Sequence, residues 1–102
     1  MSVCTGSALI AKVGLLDAKE ATSNKLAFDW VTSQGPAVNW KRQARWVREG
    51  KYYTSSGVSA GMDMALGFVR DQFGQERAEQ IARQAEYHWQ DDPDRDDFAP
   101  AG

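Results

Sequence analysis

The sequence predicts a single α/β domain, because segments with helical periodicity are interspersed with β-favouring runs. The clearest helical segment has apolar residues at spacings of three and four, namely Met62, Ala65, Leu66, Val69 and Phe73. Two runs at 45–48 and 51–54 carry aromatic and β-branched residues and flank Glu49-Gly50, which predicts a two-residue hairpin. A chain of 102 residues is long enough for one hydrophobic core.

The N-terminal third predicts two helices separated by an extended piece. A short helix is expected from Gly6 or Ser7 to Val13, with Gly14 as its C-terminal cap. Residues 15–22 predict a turn and then a short extended segment. A second helix is expected to begin near Ser23 or Asn24, good N-cap residues, and to end at Gly35-Pro36. Its expected apolar face consists of Leu26, Ala27, Phe28, Trp30 and Val31.

The C-terminal part predicts a last helix and an acidic tail. The helix is expected from about Gln75 to Trp89, with Ala78, Ile81, Ala82, Ala85 and Trp89 on its apolar face. Beyond it, five aspartates between positions 91 and 97 predict a solvated tail, in which Phe98 is expected to anchor the chain back onto the domain.

Composition and charge exclude several classes of protein. Hydrophobic residues make up 42% and charged residues 25%, which is typical of a globular domain. The net charge of −2 argues against nucleic acid or an anionic membrane as a partner. No apolar run approaches the roughly 20 residues that span a bilayer, and the N-terminus lacks the pattern of a secretory signal. A single cysteine forbids an intrachain disulfide, so a cytoplasmic location is predicted.

That cysteine, Cys4, stands where nucleophilic chemistry is favoured. It precedes Thr5-Gly6-Ser7 and an apolar helix, and a helix N-terminus stabilises a thiolate. Small residues beside a nucleophile permit the sharp strand-to-helix turn called a nucleophile elbow. The N–H of the following residue, Thr5, is then placed to help hold an oxyanion. From the residues alone, the alternative that Cys4 is a small buried hydrophobe stays open.

Three motifs, in order along the chain, resemble the ThiJ/PfpI family of the class I glutamine amidotransferase-like superfamily. Residues 2–7, with the 9–11 and 14–17 segments after them, look like the family's elbow. The Ala21-Thr22-Ser23-Asn24 stretch is similar to its next strand and loop. Residues 54–66 are similar to a later strand, small-residue loop and helix. The resemblance extends to about Phe98, and isocyanide hydratases and the amidotransferase-like domains of some AraC-type regulators are similar to this branch.

The resemblance implies a doubly wound parallel-sheet, flavodoxin-like domain, of which this chain would supply the C-terminal half, residues 1–98, with 99–102 as a tail. In the family the first half of the domain precedes the elbow and supplies an acidic residue that contacts the cysteine and a second oxyanion donor. Only three residues precede Cys4 here. We therefore expect an incomplete domain that is inactive alone.

The resemblance also assigns the site. Cys4 would be the nucleophile, Thr5 and Gly6 would shape the elbow and oxyanion site, and Asn24, Ser56 and Gly57 would line the pocket. No metal and no cofactor are predicted. The predicted partners are a small-molecule substrate and, in a homodimer that the sequence leaves open, a second copy of the chain. Neither nucleic acid nor a membrane is predicted.

The sequence departs from the family pattern at two positions. Asn24 stands where many members carry a His, and an amide cannot act as a general base. The only histidine, His88, is expected on the surface of the last helix, so a Cys-His pair is unsupported. Ala18 stands where the family commonly has Gly, which predicts an altered turn.

Three function classes remain open on this reasoning. The favoured one is hydration or hydrolysis of a small molecule, with isocyanide hydration as the nearest analogy because that branch does not rely on the missing His. The second is a non-catalytic ligand-sensing or regulatory domain, as in AraC-type proteins. The third is an inactive remnant.

Other constellations are weaker. Basic residues interleaved with aromatics at 40–53 resemble a single-stranded nucleic-acid surface, but the acidic total favours a hairpin whose aromatics pack inward. The acidic run at 91–97 lacks the ligand spacing and central Gly of an EF-hand loop. Met62 and Met64 are interpreted as core residues.

Overall fold

A computed structural model describes residues 1–100, and these form helices and short strands in an α/β arrangement. The helices are α1 (Ser7–Lys12), α2 (Phe28–Gln34), α3 (Val58–Phe73) and α4 (Gln75–Gln84). The strands are β1 (Glu20–Ala21), β2 (Asn39–Trp40), β3 (Trp46–Glu49) and β4 (Tyr52–Ser55). Of the predicted tail at 99–102, the last two residues lie outside the described part. The predicted α/β class is confirmed at this level.

Parallel and antiparallel pairings are both present. β1 and β2 run parallel, with Glu20 opposite Asn39. β3 and β4 form an antiparallel hairpin. Ser2 forms an isolated parallel bridge with Thr54 of β4, so the segment before Cys4 runs alongside that strand. The bridge between Ser2 and Thr54 orients the segment that leads to Cys4.

The predicted hairpin is confirmed, with its turn shifted by one residue. Glu49 pairs with Tyr52, so the two turn residues are Gly50 and Lys51 rather than Glu49-Gly50. Gly50 has φ of +60°, and a positive φ at the first central position of a two-residue hairpin turn favours glycine. The conformational requirement of Gly50 therefore fixes the register.

The first helix follows the prediction closely. A 3-10 turn at Cys4–Gly6 leads into α1, which ends in a Schellman motif. The Leu15 N–H donates to the Ile10 carbonyl and the Gly14 N–H donates to that of Ala11, while Gly14 has φ of +86°. The extended piece predicted within 15–22 is β1.

The second and last helices are shorter than predicted. Regular helix begins only at Phe28, because Asn24 Oδ1 instead accepts the Ala27 N–H at 3.0 Å and closes a turn before it. Leu26 is fully exposed, and Phe28 and Val31 are the buried positions. The α4 helix ends at Gln84, so His88 and Trp89 lie beyond it and not on it.

The predicted apolar stripe of α3 is largely wrong. Met62 is 50% exposed and Phe73 71% exposed, and the buried face instead consists of Ala60, Gly61, Asp63, Met64, Leu66 and Gly67. The reason is close packing against bulky partners. A Cβ on Gly67 would stand 2.8 Å from the Trp46 ring, and one on Gly61 would stand 2.8 Å from Val3. The helix therefore faces inward with Gly61 and Gly67 beside Met64 and Leu66, and leaves Met62 and Phe73 outside.

Two hydrophobic clusters form the core. One, under β3, β4 and α3, consists of Trp46, Tyr53 and Met64, with Phe68 packed on it. The other, under α1, β1 and β2, consists of Ala11, Leu16, Ala21 and Val38. The prediction that Met64 is a core residue is confirmed, whereas Met62 lies at the surface.

The acidic C-terminal segment is solvated as predicted at Asp91, Asp92, Asp94 and Asp97, but not at Asp96. Asp96 is only 7% exposed, and the Pro93 carbonyl accepts the Arg45 N–H at 2.6 Å. Phe98, the predicted anchor, is 78% exposed. The segment 91–98, called the strap below, is held by the Asp96 carboxylate and by backbone hydrogen bonds. The side chain that attaches this segment to the domain is therefore Asp96, through its buried ion pairs, and not Phe98.

Within the described residues, no helix combines the length and the apolar character needed to cross a bilayer.

Candidate functional site

Three chain segments meet where the site is predicted. Cys4 follows the segment that runs beside β4, Ser23 and Asn24 follow β1, and Ser56 follows β4. Hydrogen bonds join these segments: the Cys4 N–H donates to the Ser56 carbonyl at 2.8 Å, and Ser23 Oγ donates to the Cys4 carbonyl at 2.8 Å. In open α/β sheets, ligands bind outside the carboxyl ends of strands. The residues that meet here likewise follow the carboxyl ends of β1 and β4.

Cys4 has the backbone of a strained turn. Its φ is +57°, in the left-handed region that residues with a Cβ rarely adopt, while Val3 before it is extended. The Gly6 N–H donates to the Val3 carbonyl at 3.0 Å and closes the turn around Cys4. A strained residue between an extended segment and a helix is the geometry of a nucleophile elbow. Cys4 is half-buried and is not bonded to another cysteine.

The neighbours of Cys4 match the elbow in position, but the helix behind it is short. Thr5 is exposed and Gly6 is half-buried, and both lie in the 3-10 turn before α1. The α1 helix has only six residues, so few peptide dipoles are aligned behind Cys4. The conformation of Cys4 is therefore better support for an elbow than the helix dipole on which the sequence argument rests.

The three predicted pocket residues lie together. Asn24, Ser56 and Gly57 line a cavity of about 320 Å³, together with Lys25, Leu26, Arg45, Ser59, Ala60, Asp96 and Phe98. Gly57 leaves room beside the amide of Asn24, since a Cβ there would stand 3.8 Å from Asn24 Nδ2. Cys4 is not among the residues that line the cavity. It adjoins the cavity through the hydrogen bond to Ser56.

A buried network of four charged side chains lies beside the cavity, and three of them, Lys25, Arg45 and Asp96, line it. Arg45 contacts Asp63 through Nη2 at 2.7 Å and lies 3.6 Å from Asp96. Lys25 Nζ lies 3.5 Å from Asp96 Oδ2 and donates to the Ala44 carbonyl at 2.6 Å. Burial lowers the pKa of Lys25, and the nearby carboxylate of Asp96 acts against that shift. The network pairs two basic side chains with two acidic ones, which offsets the cost of burying them.

Sequence patterns do not reveal most of this site's framework. They place Arg45 on a surface strand, give Asp63 and Asp96 no partner, and mark Ser23 only as a helix cap. The roles of these residues depend on contacts between segments far apart in sequence. The one local signal is a polar residue at each strand end.

The only histidine lies outside the site. His88 is exposed in the segment after α4 and does not line the cavity. Its neighbour Trp89 is tied to α3, because the indole N–H donates to the Asp63 carbonyl at 3.1 Å. The geometry therefore gives no support to a Cys4–His88 pair.

The basic and aromatic residues at 40–53 share one surface only in part. Arg45 is buried in its ion pair, and Trp46 and Tyr53 belong to the core. Lys41, Arg42 and Arg48 line an open groove that Trp40 and Trp46 also line, and each of these three cations is near a carboxylate. Within residues 1–100, no group of three or more His, Cys, Asp or Glu side chains is arranged to hold a metal ion.

The fold and site define a small α/β domain with a cysteine at a strained strand-to-helix turn. No protein-family profile matches the sequence. The chain is 37% identical over 86 residues to an isonitrile hydratase of Pseudomonas putida, an alignment that covers 84% of this chain and 36% of that protein. The chain therefore spans about a third of the length of this curated relative.

A solved structure shares the fold. The crystal structure of an AraC family transcriptional regulator from Pseudomonas putida superposes with a TM-score of 0.71 over 82% of this chain and 44% of that chain. The sequence identity is 17%, so this likeness concerns the fold alone. The match to the isonitrile hydratase is consistent with the ThiJ/PfpI resemblance that the motifs indicate, and the structural match is consistent with an α/β fold.

Proposed function

We propose that the chain belongs to the ThiJ/PfpI family and carries the nucleophile of a cysteine-dependent hydratase that acts on a small molecule of the isonitrile class. The observation that carries the proposal is the 37% identity to an isonitrile hydratase over 84% of the chain. On this proposal, the described elements correspond to the C-terminal strands, hairpin and helices of a doubly wound, flavodoxin-like domain. The positive φ of Cys4 supports its role as the elbow residue.

The proposed reaction would use Cys4, the turn around it and the adjoining cavity. Hydration of an isonitrile adds one water and gives an N-substituted formamide. The thiolate of Cys4 would attack the terminal carbon, which then takes up a proton to give a thioimidate. Water would then add across the C=N bond, its oxygen to that carbon and one of its protons to the nitrogen. Loss of the remaining proton to solvent, which balances the proton taken up first, would form the formamide C=O as the C–S bond breaks and the thiolate leaves. Thr5 and Gly6 would shape the turn, and the cavity beside Asn24, Ser56 and Gly57 would hold the organic substituent.

Turnover of an alkyl isonitrile by the purified chain, followed as formamide by NMR, tests the proposal. Cys4→Ser keeps the size of the side chain and removes the thiolate, so we expect its rate to equal that of a protein-free sample. Ser33→Ala is a matched control, because this exposed hydroxyl bonds only within its own helix, to the Trp30 carbonyl and to the Gln34 side chain. Equal turnover by wild type and Cys4→Ser would remove Cys4 from the mechanism. No turnover by wild type would reject catalysis by this chain and would match the expectation that the domain is inactive alone.

A second candidate is a ligand-sensing domain, and the shared fold with an AraC family regulator favours it. A sensor needs the cavity but not the thiolate. Thermal-shift titration with an alkyl isonitrile and with its formamide separates the two functions. Equal stabilisation of wild type and Cys4→Ser without product would favour the sensor, whereas product formation that Cys4→Ser abolishes would favour the enzyme.

A further inference from the structure

We infer that Ser23 is the positioning residue that holds Cys4 in its strained conformation, through the hydrogen bond from Ser23 Oγ to the Cys4 carbonyl. The bond is 2.8 Å long, and Ser23 is fully buried. The catalytic consequence of this inference rests on the proposed function, whereas its structural consequence does not.

The strain at Cys4 requires an external restraint. A residue with a Cβ at φ of +57° is disfavoured and persists only where its surroundings determine it. Two hydrogen bonds from outside the turn reach the Cys4 backbone: its N–H donates to the Ser56 carbonyl, and its carbonyl accepts from Ser23. The first is a backbone bond that no side-chain substitution removes. The second depends on one hydroxyl group.

Ser23 is itself firmly placed. The preceding residue, Thr22, is fully buried, and its N–H donates to Thr54 Oγ1 at 2.9 Å. Thr22 Oγ1 donates to the Lys41 carbonyl at 2.8 Å and accepts from Lys25 Nζ at 2.8 Å. The backbone that carries Ser23 is thus tied to both β4 and the β2 segment. A hydroxyl on so rigid a support can hold the strained turn at Cys4.

The expected effect of Ser23→Ala follows from this geometry. Without the hydroxyl, the Cys4 carbonyl loses its partner, the turn relaxes toward negative φ and Sγ moves. A displacement of about 1 Å at a reacting group can cost about a hundredfold in rate. We expect kcat for isonitrile hydration to fall by about ten- to a hundredfold and KM to change less than about threefold, because the cavity residues keep their places.

The structural part is tested without any activity. Because the chain has one cysteine, labelling with 13C-cysteine gives one set of Cα and Cβ resonances, whose shifts report the left-handed backbone. We expect Ser23→Ala to move them and Ser23→Thr, which keeps a hydroxyl, to restore them. Ser7→Ala is the matched control, since its buried hydroxyl has no hydrogen-bond partner within residues 1–100.

The outcomes separate the two proposals. Cys4 resonances that are unchanged in Ser23→Ala, or that move equally in Ser7→Ala, would overturn the inference. Resonances that move only in Ser23→Ala, in a protein without isonitrile turnover, would uphold the inference and reject the proposed function. If Ser23→Ala fails to fold, NMR of the wild type tests the hydrogen bond directly. A scalar coupling between the Ser23 hydroxyl proton and the Cys4 carbonyl carbon would support the inference, and its absence would overturn it.

Discussion

Single residues with positive φ show where this chain departs from relaxed geometry. Cys4, Ala18 and Glu86 all carry a Cβ and have φ of +57°, +63° and +53°. At Cys4 the strain coincides with the candidate nucleophile. At Ala18 the turn holds an alanine in a left-handed conformation that glycine adopts without strain. The Cβ of Ala18 makes this backbone conformation unfavourable.

Ala18→Gly should therefore stabilise the protein. Relief of the left-handed strain is worth about 1–2 kcal/mol, and the added freedom of glycine in the unfolded chain costs about 0.4–1 kcal/mol. We expect the free energy of unfolding to rise by about 0.5–1 kcal/mol on balance. Urea denaturation followed by tryptophan fluorescence measures it. Ala37→Gly, at an exposed position without positive φ, should lower stability, and a loss in both variants would show that Ala18 is not strained.

His88→Gln should leave any isonitrile turnover within about twofold of wild type, a change far smaller than the loss of a general base. The side chain is exposed beyond α4 and does not line the cavity. Steady-state kinetics on the wild-type and variant chains measure the ratio. Removal of a general base costs about a hundredfold or more, so a loss of that size would mean that the acid–base partner of Cys4 has been misassigned.

Between elements, the hairpin is joined to α3 by a polar contact at the edge of its apolar core. Tyr53 of β4 is buried and donates from its hydroxyl to Asp71 Oδ2 at 2.6 Å, and its ring packs edge-on against Phe68. Arg48 lies 3.4 Å from the same carboxylate. Burial and the hydrogen bond to Asp71 raise the pKa of Tyr53 to about 12.

This raised pKa predicts a loss of stability at alkaline pH. Between about pH 10, the ordinary tyrosine pKa, and about pH 12 the unfolded chain releases the Tyr53 proton while the folded chain retains it. The Tyr53 contribution is thus complete below about pH 10 and falls as the pH rises, by about 2–3 kcal/mol in total. Lys25 acts in the opposite direction, since its lowered pKa makes stability rise with pH up to about 10.4.

Tyr53→Phe isolates the tyrosine contribution, because Lys25 is common to both proteins. We expect Tyr53→Phe to be less stable at neutral pH by about 1–3 kcal/mol, through loss of a hydrogen bond to a charged acceptor, and to lose less stability than wild type between about pH 10 and 12. Urea denaturation across this pH range measures both effects. Tyr52→Phe, which leaves the Asp71 bond intact, is the control. Parallel pH profiles for wild type and Tyr53→Phe would contradict the assignment.

At the scale of the whole molecule, the buried ion network joins segments from the start, middle and end of the chain. Lys25 comes from the loop before α2, Arg45 from the start of the hairpin, Asp63 from α3 and Asp96 from the strap. Asp96 also accepts the Phe98 N–H at 3.0 Å through Oδ1, while Oδ2 has no hydrogen-bond partner within the described chain. One carboxylate therefore couples the strap to both the hairpin and the cavity.

Asp96→Asn should be strongly destabilising, whereas Asp97→Asn should not. Removing one member of a buried ion network costs about 3–5 kcal/mol, since it leaves the remaining charges unbalanced. Asp97 is exposed, so its change is expected to stay within about 0.5 kcal/mol. Chemical denaturation gives both values, and limited proteolysis tests whether the strap is released in Asp96→Asn. Equal stability of the two variants would show that the strap is not held by this carboxylate.

Local sequence signals are sufficient for several features. Gly14 and Gly74 mark helix ends because a left-handed residue is needed there, and both have positive φ. The hairpin follows from two β-favouring runs at a short spacing. The elbow at Cys4 is predicted from the small residues beside it together with the family resemblance. Asn24, Ser56 and Gly57 line one cavity, and their role in a binding site stays a prediction.

Only the tertiary structure decided which faces are buried and which charges are paired. The pattern of large apolar residues places Met62 and Phe73 inside, but the bulk of Trp46 requires the small face of α3 at Gly67. The composition of the strap indicates a solvated tail, but Asp96 finds buried cations contributed by Lys25 and Arg45, from segments far earlier in the chain. Periodicity and composition describe a segment by itself, whereas close packing and ion pairing depend on the partner that the fold brings to it.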